Sequence, residues 1–204
     1  MSNSAVELCK FTLLVDLGII TAPDDYEQAT RLDKFLKQNS EKFYGVDCNI
    51  TDANFLNPSR ILKPGDKLRV RAFRQIVGGT TTSKERMTFL STQKAIHVGA
   101  QGASLVFEQR RDQLPKGKWY ASFDEEERLW TDAAGRRRVP SVLALSGDDF
   151  LWCLGDFGCV WGKDRAFFCF CDLESAPAKL SRLNLDIEDC LAPTIGCSSS
   201  TKSS

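Results

Sequence analysis

The chain has 204 residues, with 27 basic and 27 acidic side chains, 42% hydrophobic residues and eight cysteines. This hydrophobic fraction is close to that of globular proteins and excludes disorder along the whole chain, and no collagen or coiled-coil period is present. The most hydrophobic stretch, residues 11–20, contains Asp16 and is too short to cross a bilayer. We therefore predict a protein that has no membrane-spanning segment and no membrane partner.

The first residues and the cysteines predict the cellular compartment. Residues 1–7 lack the basic region and the hydrophobic core of a secretory signal. Most cysteines lie in apolar, strand-like runs rather than in the loops that a disulfide framework would connect. We therefore expect a cytoplasmic protein with reduced thiols.

Residue periodicity predicts a strand and a helix in the first 40 residues. Apolar and polar residues alternate from Val6 to Leu17, which is typical of a strand. Further on, Tyr26, Leu32 and Phe35 follow a helical spacing, with acidic residues before them. We expect Asn39 to end this helix.

A turn, a second strand and a second helix are predicted next. Pro64-Gly65-Asp66 is a turn sequence that leads into a strand from Lys67 to Val77. Thr82 is followed three residues later by Glu85, which is the signature of a capping box and predicts a helix through about Ala95.

Short apolar runs bounded by Gly, Pro or Asp characterise the region after residue 101, and they predict an antiparallel meander of strands. The runs are Ala103–Gln109, Lys118–Phe123, Arg128–Thr131, Arg138–Leu145, Phe150–Leu154 and Ala166–Cys171. The fold class is therefore α+β: a strand-helix-strand N-terminal part, then a helix and a β-rich antiparallel meander. We expect one globular domain over residues 1–174, with its N-terminal part in 1–100 and its β-rich part in 101–174.

Residues 175–204 have a different composition and are predicted to form a tail. Leu180, Leu183, Ile187 and Leu191 have the spacing of one short helix, which could dock into a groove of another protein. The last residues, 198–204, are only Ser, Thr and Lys, and we expect that end to be mobile.

The net charge of zero hides a strong segregation along the chain. Residues 1–54 carry a net charge of −4, residues 55–118 carry +9, and residues 119–204 carry −5. The predicted strand from residue 67 concentrates part of this positive charge, because alternation puts Lys67, Arg69 and Arg71 on one face about 7 Å apart. Phe73 and Arg74 continue this basic strand face.

The leading functional prediction is a non-catalytic binding or interaction protein that uses Lys67, Arg69, Arg71, Phe73 and Arg74. Its partner could be an acidic protein or another polyanion, since arginine can contact carboxylates and phosphates with two hydrogen bonds. A nucleic-acid-binding protein is an alternative, although the isoelectric point of about 6.6 is lower than such domains usually have. Neutralisation of the basic segment by acidic parts of the same chain, such as residues 125–127, is the other interpretation.

Four cysteines fall within nineteen residues of each other, namely Cys153, Cys159, Cys169 and Cys171. Four thiolates could hold zinc, but the spacing lacks the C-x2-C turns that present two sulfurs to one ion. Phe167, Phe168 and Phe170 favour a buried strand in which cysteine acts as a small hydrophobic residue. We therefore predict no metal site and no cofactor.

An enzyme of another class is the competing prediction. His97 is the only histidine, so any nucleophile that needs a histidine base would have to use it. This hypothesis requires a pocket that joins His97 to Cys153, to Ser104 or to an acid, whereas the binding hypothesis requires a convex basic face. Since no local motif marks such a pair, we assign no catalytic residue.

Two resemblances accompany these patterns. Residues 61–70, Ile-Leu-Lys-Pro-Gly-Asp-Lys-Leu-Arg-Val, resemble the closing segment of LysM-type glycan-binding modules, in which a Pro-Gly turn precedes a short strand. Over residues 6–174 the chain is similar to small bacterial proteins that carry no assigned activity. The segments that carry this similarity are 58–66, 101–107, 113–120 and 168–173. It implies a bacterial protein, and it transfers no cofactor and no site residue.

Overall fold

The computed structural model describes residues 10–76 and 78–173. The strands in these ranges are β1 (Phe11–Thr21), β2 (Phe43–Val46), β3 (Lys67–Gln75), β4 (Thr81–Thr82), β5 (Lys118–Ala121), β6 (Arg138–Ala144), β7 (Phe150–Asp156), β8 (Val160–Trp161) and β9 (Arg165–Asp172). The α-helices are α1 (Arg31–Gln38), α2 (Ser83–Thr92) and α3 (Gly99–Arg110). Short 3-10 turns occupy Gln28–Thr30, Ser40–Lys42, Arg111–Gln113 and Glu126–Arg128.

One seven-stranded sheet, in the order β1-β3-β9-β5-β6-β7-β2, joins strands from both halves of the chain. Most neighbours pair antiparallel, but β9 is parallel to β5 and β2 is parallel to β7. A second sheet contains only β4 and β8. The predicted α+β class is confirmed.

Strand β9 lies inside the large sheet and is buried on both faces. Its residues alternate between two hydrophobic clusters. Ala166, Phe168 and Phe170 belong to the cluster that contains α1 and α3, whereas Phe167, Cys169 and Cys171 belong to the cluster that contains α2. The near-continuous apolar sequence of β9 follows from this, since a strand covered on both sides has no solvent face.

Aromatic contacts join helices α1 and α3 to the far half of the sheet. The ring of Phe35 meets the ring of Phe107 at 5.5 Å and that of Trp152 at 5.1 Å, both edge to face. Such pairs add about 0.5–1.5 kcal/mol beyond the area that they bury. They fix α1 above β7.

Helix α2 covers the opposite face of the sheet. It begins with the predicted capping box, in which Thr82 accepts from the backbone N–H of Glu85 and Glu85 accepts from that of Thr82. The ring of Phe89 then packs against Phe11, Phe73 and Phe167 at centroid distances of 5.0, 4.9 and 5.9 Å.

Arg86 ties α2 to the strands beneath it and has no exposed surface. Its guanidinium donates to the Thr81 hydroxyl at 3.0 Å and to the Arg165 carbonyl at 2.7 Å. It also lies over the rings of Trp161 and Phe167, at 5.4 and 5.1 Å from their centroids. Burial lowers the pKa of this group, and the carbonyl and ring contacts compensate the buried charge.

Two side chains of α3 cover part of the outer edge of β1. Gln109 accepts from the N–H of Thr21 at 3.0 Å and donates to its carbonyl at 2.8 Å. Arg110 donates to the carbonyls of Leu17 and Ile19 at 2.9 and 2.6 Å. These bonds satisfy backbone groups that would otherwise invite another strand to pair with this edge.

Several predicted elements are confirmed. Helix α1 ends before Asn39, which caps it, and β3 covers most of the predicted strand. The turn before β3 has the expected geometry, because Gly65 has a φ of 80° and the N–H of Asp66 donates to the Lys63 carbonyl at 3.1 Å. Positive φ after proline is the requirement of a type II turn, which glycine meets without strain.

The prediction of a strand over Ala103–Gln109 is wrong, because these residues belong to helix α3. The helix is buried on every side from Gly99 to Phe107, so its sequence shows no polar face with helical spacing. The predicted strand Arg128–Thr131 is also absent: a 3-10 turn ends at Arg128, and Thr131 makes only an isolated bridge with Arg137.

Other boundaries differ from prediction. The first strand is observed from Phe11 to Thr21, four residues further than the predicted end, and residues 6–9 lie outside the described ranges. The edge strand β2 was not predicted, since four residues provide too little alternation. The tail over 175–204, with its expected helix and mobile end, also lies outside the described residues. Within 10–76 and 78–173, none of the helices has the length and hydrophobicity that crossing a membrane requires.

Replacing Gly102 by alanine is expected to destabilise the protein. An added Cβ would lie 2.3 Å from Cγ2 of Val98 and 2.9 Å from Cζ of Phe170. Alanine gains about 1 kcal/mol of helix propensity over glycine, but overpacking of a core typically costs about 1–3 kcal/mol. The urea midpoint of Gly102→Ala should therefore fall below that of the wild type.

Gly147→Ala is the matched control, because no atom lies within 4 Å of the position of its added Cβ. Its midpoint should stay close to the wild-type value. Equal midpoints for the two variants would contradict the close approach of α3 to β9.

Candidate functional site

The basic residues predicted on β3 occupy two different environments. Alternation places Lys67, Arg69, Arg71 and Phe73 on the face that α2 covers, and Arg74 on the opposite face. Lys67 and Arg69 are exposed, whereas Arg71 and Phe73 are only 9% and 6% exposed. The five predicted residues therefore do not form one continuous surface, because α2 and its cluster cover the second half of this strand face.

Arg69 is paired on the protein surface. Its Nη2 lies 2.6 Å from Oδ2 of Asp16 on the neighbouring strand β1. The hydrogen bond to Asp16 is the main reason why the pKa of Arg69 is raised. Both side chains keep contact with water, at 46% and 33% exposure, so this ion pair contributes at most about 1 kcal/mol.

Other cations of the basic segment also have acidic neighbours. Arg60 lies 3.9 Å from Asp66 and 3.6 Å from Asp172. Lys116 lies 3.8 Å from Asp148. Part of the positive charge is thus neutralised within the fold, by aspartates outside the run at 125–127 that the sequence suggested.

Arg71 is a buried cation whose closest polar partner is a thiol. Its Nη2 donates to Sγ of Cys171 at 3.6 Å, and its Nε has no hydrogen-bond partner among the residues in 10–76 and 78–173. The guanidinium also lies 5.4 Å from the centroid of the Phe73 ring. No ion pair between Arg71 and a carboxylate is present among the residues that the structure describes.

Cys169 and Cys171 lie side by side on β9, one on either side of Phe170 in the sequence. Their sulfur atoms are 3.8 Å apart, and the Cys171 thiol also donates to the carbonyl of Gln93, just after α2, at 3.6 Å. The hydrogen bond from Cys169, followed by the contacts with Arg71, lowers the pKa of the Cys171 thiol. The same interaction with Cys171, together with burial, raises the pKa of Cys169.

The other two cysteines of the predicted cluster lie elsewhere. Cys153 is on β7 opposite Ser141, and Cys159 is exposed in the turn that follows β7. Within the described part of the chain, no three His, Cys, Asp or Glu side chains are grouped so that they could hold a metal ion. The spacing in sequence therefore did not predict which sulfurs meet.

His97 lies near an acid but not beside the suggested nucleophiles. Burial lowers its pKa, while the nearby Glu125 and a hydrogen bond with the backbone of Phe123 act in the opposite direction. Ser104 accepts from Nε of Arg31 at 3.0 Å and donates to the Gln101 carbonyl at 2.7 Å. These bonds occupy the Ser104 hydroxyl on the side of α3 that faces α1.

A small pocket opens at the beginning of α3, and the sequence did not predict it. It encloses about 230 Å3 of empty space, including the open solvent at its mouth. Its lining consists of Phe55, Pro58, Gly99, Ala100, Gln101, Asp124, Arg128, Leu129 and Pro140. Nε2 of the buried Gln101 donates to the Phe55 carbonyl at 2.5 Å, whereas its Oε1 has no hydrogen-bond partner within the described part of the chain.

Asp124 is the acidic group in the lining of this pocket and is only 4% exposed. Its carboxylate accepts from the N–H and the hydroxyl of Ser59 and from the N–H of Glu125. Burial outweighs these bonds and raises the pKa of Asp124 to about 6. In the sequence Asp124 is one acid in a run of four, so nothing distinguished it from its exposed neighbours.

No family model, curated protein or solved structure matches the chain. The resemblance to LysM-type modules and to small bacterial proteins therefore stays a prediction. Function has to be inferred from the geometry of this chain.

The titration of Asp124 is expected to make the stability depend on pH. Its pKa is about 6 in the folded protein, against an ordinary value of 3.8, so the folded state binds more protons than the unfolded state between these values. The free energy of unfolding should therefore fall as the pH rises from about 4 to 6. A shift of two pKa units corresponds to a loss on the order of 3 kcal/mol.

Urea unfolding of the wild type and of Asp124→Asn over a pH series measures this effect. The variant should lack the loss of stability between about pH 4 and 6, because its amide does not titrate. Asp148→Asn, at an exposed carboxyl, should keep the wild-type profile. If the wild type and Asp124→Asn had parallel profiles of stability against pH, burial would not shift the pKa of Asp124.

Proposed function

We propose that this protein is a non-catalytic binding protein that contacts an acidic surface of another protein through Lys67 and Arg69. The main support for this proposal is that these two cations are exposed, side by side, on the part of β3 that α2 does not cover. The remaining predicted residues lie elsewhere: Arg71 and Phe73 are buried under α2 further along the same strand face, and Arg74 lies on the other face of the sheet.

An exposed apolar side chain lies next to these cations. Ile19 on β1 is paired in register with Arg69 and is 45% exposed. Residues paired across neighbouring strands project from the same face, so Ile19 and Arg69 form one mixed surface. Apolar contact supplemented by complementary charge is a common composition for a protein interface.

The number of exposed cations favours a protein partner over nucleic acid. In binding to duplex DNA, the logarithm of the affinity falls with the logarithm of the salt concentration by about 0.9 for each phosphate contacted, so strongly salt-dependent binding needs several contacts, such as about 6–10. Lys67 and Arg69 supply two, and Asp16 beside them would repel a phosphate backbone. An acidic protein needs only to replace Asp16 as the partner of Arg69, at a cost of about 1 kcal/mol or less.

The competing enzyme hypothesis has less support from the described contacts. The Ser104 hydroxyl is hydrogen-bonded to Arg31 and Gln101 instead of to His97. Burial raises the pKa of the Cys153 thiol, which disfavours the thiolate that a cysteine nucleophile needs. We therefore propose binding rather than histidine-assisted catalysis.

The double variant Lys67→Ala/Arg69→Ala is expected to weaken retention of the protein on immobilised poly-glutamate. The wild type should bind at low ionic strength and elute as salt rises, because the Debye length shortens from about 30 Å at 0.01 M to about 8 Å at 0.15 M. The double variant should elute at a clearly lower salt concentration. Elution from the column over a salt gradient is the measurement.

The control is Lys37→Ala/Lys163→Ala, which removes the same charge from two exposed positions on other parts of the protein. It should elute close to the wild type. Coincident elution of the two double variants would reject the site. If the wild type were retained more strongly on duplex DNA than on poly-glutamate, with a steep dependence on salt, the partner would be a nucleic acid and not an acidic protein.

A further inference from the structure

We propose that Cys169 and Cys171 form a peroxide-sensitive dithiol, in which Cys171 is the sulfur that reacts and Cys169 is the sulfur that resolves the product as a disulfide. The sulfur atoms already lie 3.8 Å apart on one face of β9. This inference goes beyond the proposed binding function and does not depend on any partner.

The buried guanidinium of Arg71 identifies Cys171 as the reactive sulfur. A charge taken out of water needs compensation, and Arg71 is 91% buried with Nε unpartnered and Nη2 on Sγ of Cys171. A thiolate at Cys171 would supply the missing negative charge. Cys169 has no exposed surface, and its sulfur lies 3.8 Å from that of Cys171, so a Cys171 thiolate would accept the hydrogen bond from the Cys169 thiol.

A second arginine adds to the positive environment of Cys171. Arg69 is its register partner on β3, so the two side chains project from the same face of neighbouring strands. Asp172 acts in the opposite direction, and Asp16 partly neutralises Arg69. Thiolates that lie beside arginine are the ones that react with peroxides, because the thiolate and not the thiol is the nucleophile.

The chemistry has two steps. The Cys171 thiolate attacks one oxygen of hydrogen peroxide, an S–O bond forms, the O–O bond breaks, and hydroxide leaves with the electron pair. The sulfur is oxidised to a sulfenic acid while the peroxide is reduced. The Cys169 sulfur then attacks the sulfenic sulfur, its thiol proton and the sulfenic hydroxyl leave together as water, and a disulfide forms.

The position of the two cysteines on one strand predicts a bond that is easily reduced. Residues two apart along a strand have Cα atoms about 6.6–6.8 Å apart, at the upper end of the range that disulfides span. Closing the bond therefore requires β9 to pucker locally. Strained disulfides of this kind are labile and are reversed readily by thiols.

Burial limits the rate of the first step. Cys171 is only 2% exposed, and the Gln93 carbonyl at the end of α2 lies against its sulfur. A small neutral oxidant such as hydrogen peroxide is the reagent that this site admits. Larger electrophiles should react first with Cys159, which is exposed in the turn after β7.

The experiment uses the full chain, treated with hydrogen peroxide while folded, then unfolded in urea with iodoacetamide so that every remaining thiol is blocked, and digested with trypsin. The peptide 166–179 contains Cys169 and Cys171 as its only cysteines, and the peptide 139–163 contains Cys153 and Cys159. Oxidation should leave peptide 166–179 without alkylation and lighter by two hydrogens, and dithiothreitol added before blocking should restore both thiols. Peptide 139–163 is the internal control and should stay alkylated at both cysteines.

Four variants separate the roles of the residues. Cys169→Ser should stop at a sulfenic acid on residue 171 that dimedone traps, whereas Cys171→Ser should leave Cys169 unreacted. Arg71→Gln should slow the oxidation by about tenfold for each pKa unit by which Cys171 rises, and Arg71→Lys should retain most of the rate.

The wild-type protein alone can overturn the proposal, whether or not a variant folds. Full alkylation of peptide 166–179 after a peroxide dose that oxidises Cys159 would exclude a reactive Cys171. A sulfinic acid in that peptide without any disulfide would exclude Cys169 as the resolving sulfur. Equal dimedone trapping in Cys169→Ser and Cys171→Ser would refute the assignment of the two roles.

Discussion

Burial of β9 on both faces is the constraint on which the rest of the structure depends. Every second residue of this strand supports α1 and α3, and the residues between them support α2. The strand also links β3 to β5, so that it connects the N-terminal strands to the β-rich part of the chain. Apolar burial on both sides supplies most of its stabilisation, at about 25 cal/mol for each Å2 removed from water.

Helix α2 changes the chemistry of the strand beneath it. Where α2 covers β3, Arg71 is buried and donates to the sulfur of Cys171. Beyond the covered part, Arg69 is exposed to solvent and is paired with Asp16. Two arginines on one face of one strand thus have different surroundings. Solvent screens the Arg69 pair strongly, whereas the low dielectric under α2 strengthens the interaction of Arg71 with Cys171.

Burial also changes the electrostatic surroundings of two other groups, Asp124 in the pocket at the beginning of α3 and Arg86 on α2. Asp124 and Arg86 are both almost fully buried, and both have neutral hydrogen-bond partners in place of an ion pair. Carbonyls, hydroxyls and backbone N–H groups compensate part of the lost hydration, so the ionised forms become less favourable. The pKa shifts of these two groups therefore reflect how completely the surrounding packing excludes water from them.

Local signals in the sequence were enough to predict the capping box before α2, the Pro-Gly turn before β3, and the alternation of β1 and β3. The sequence did not determine α3, because a helix buried all round shows no polar face, and it did not predict the short edge strand β2. The basic strand face was predicted from alternation, but which of its cations meet water depends on α2, some distance away in the chain. Likewise, the contact of Arg71 with Cys171 and the burial of Asp124 depend on how distant segments pack, because burial and charge environment come from contacts between residues far apart in sequence.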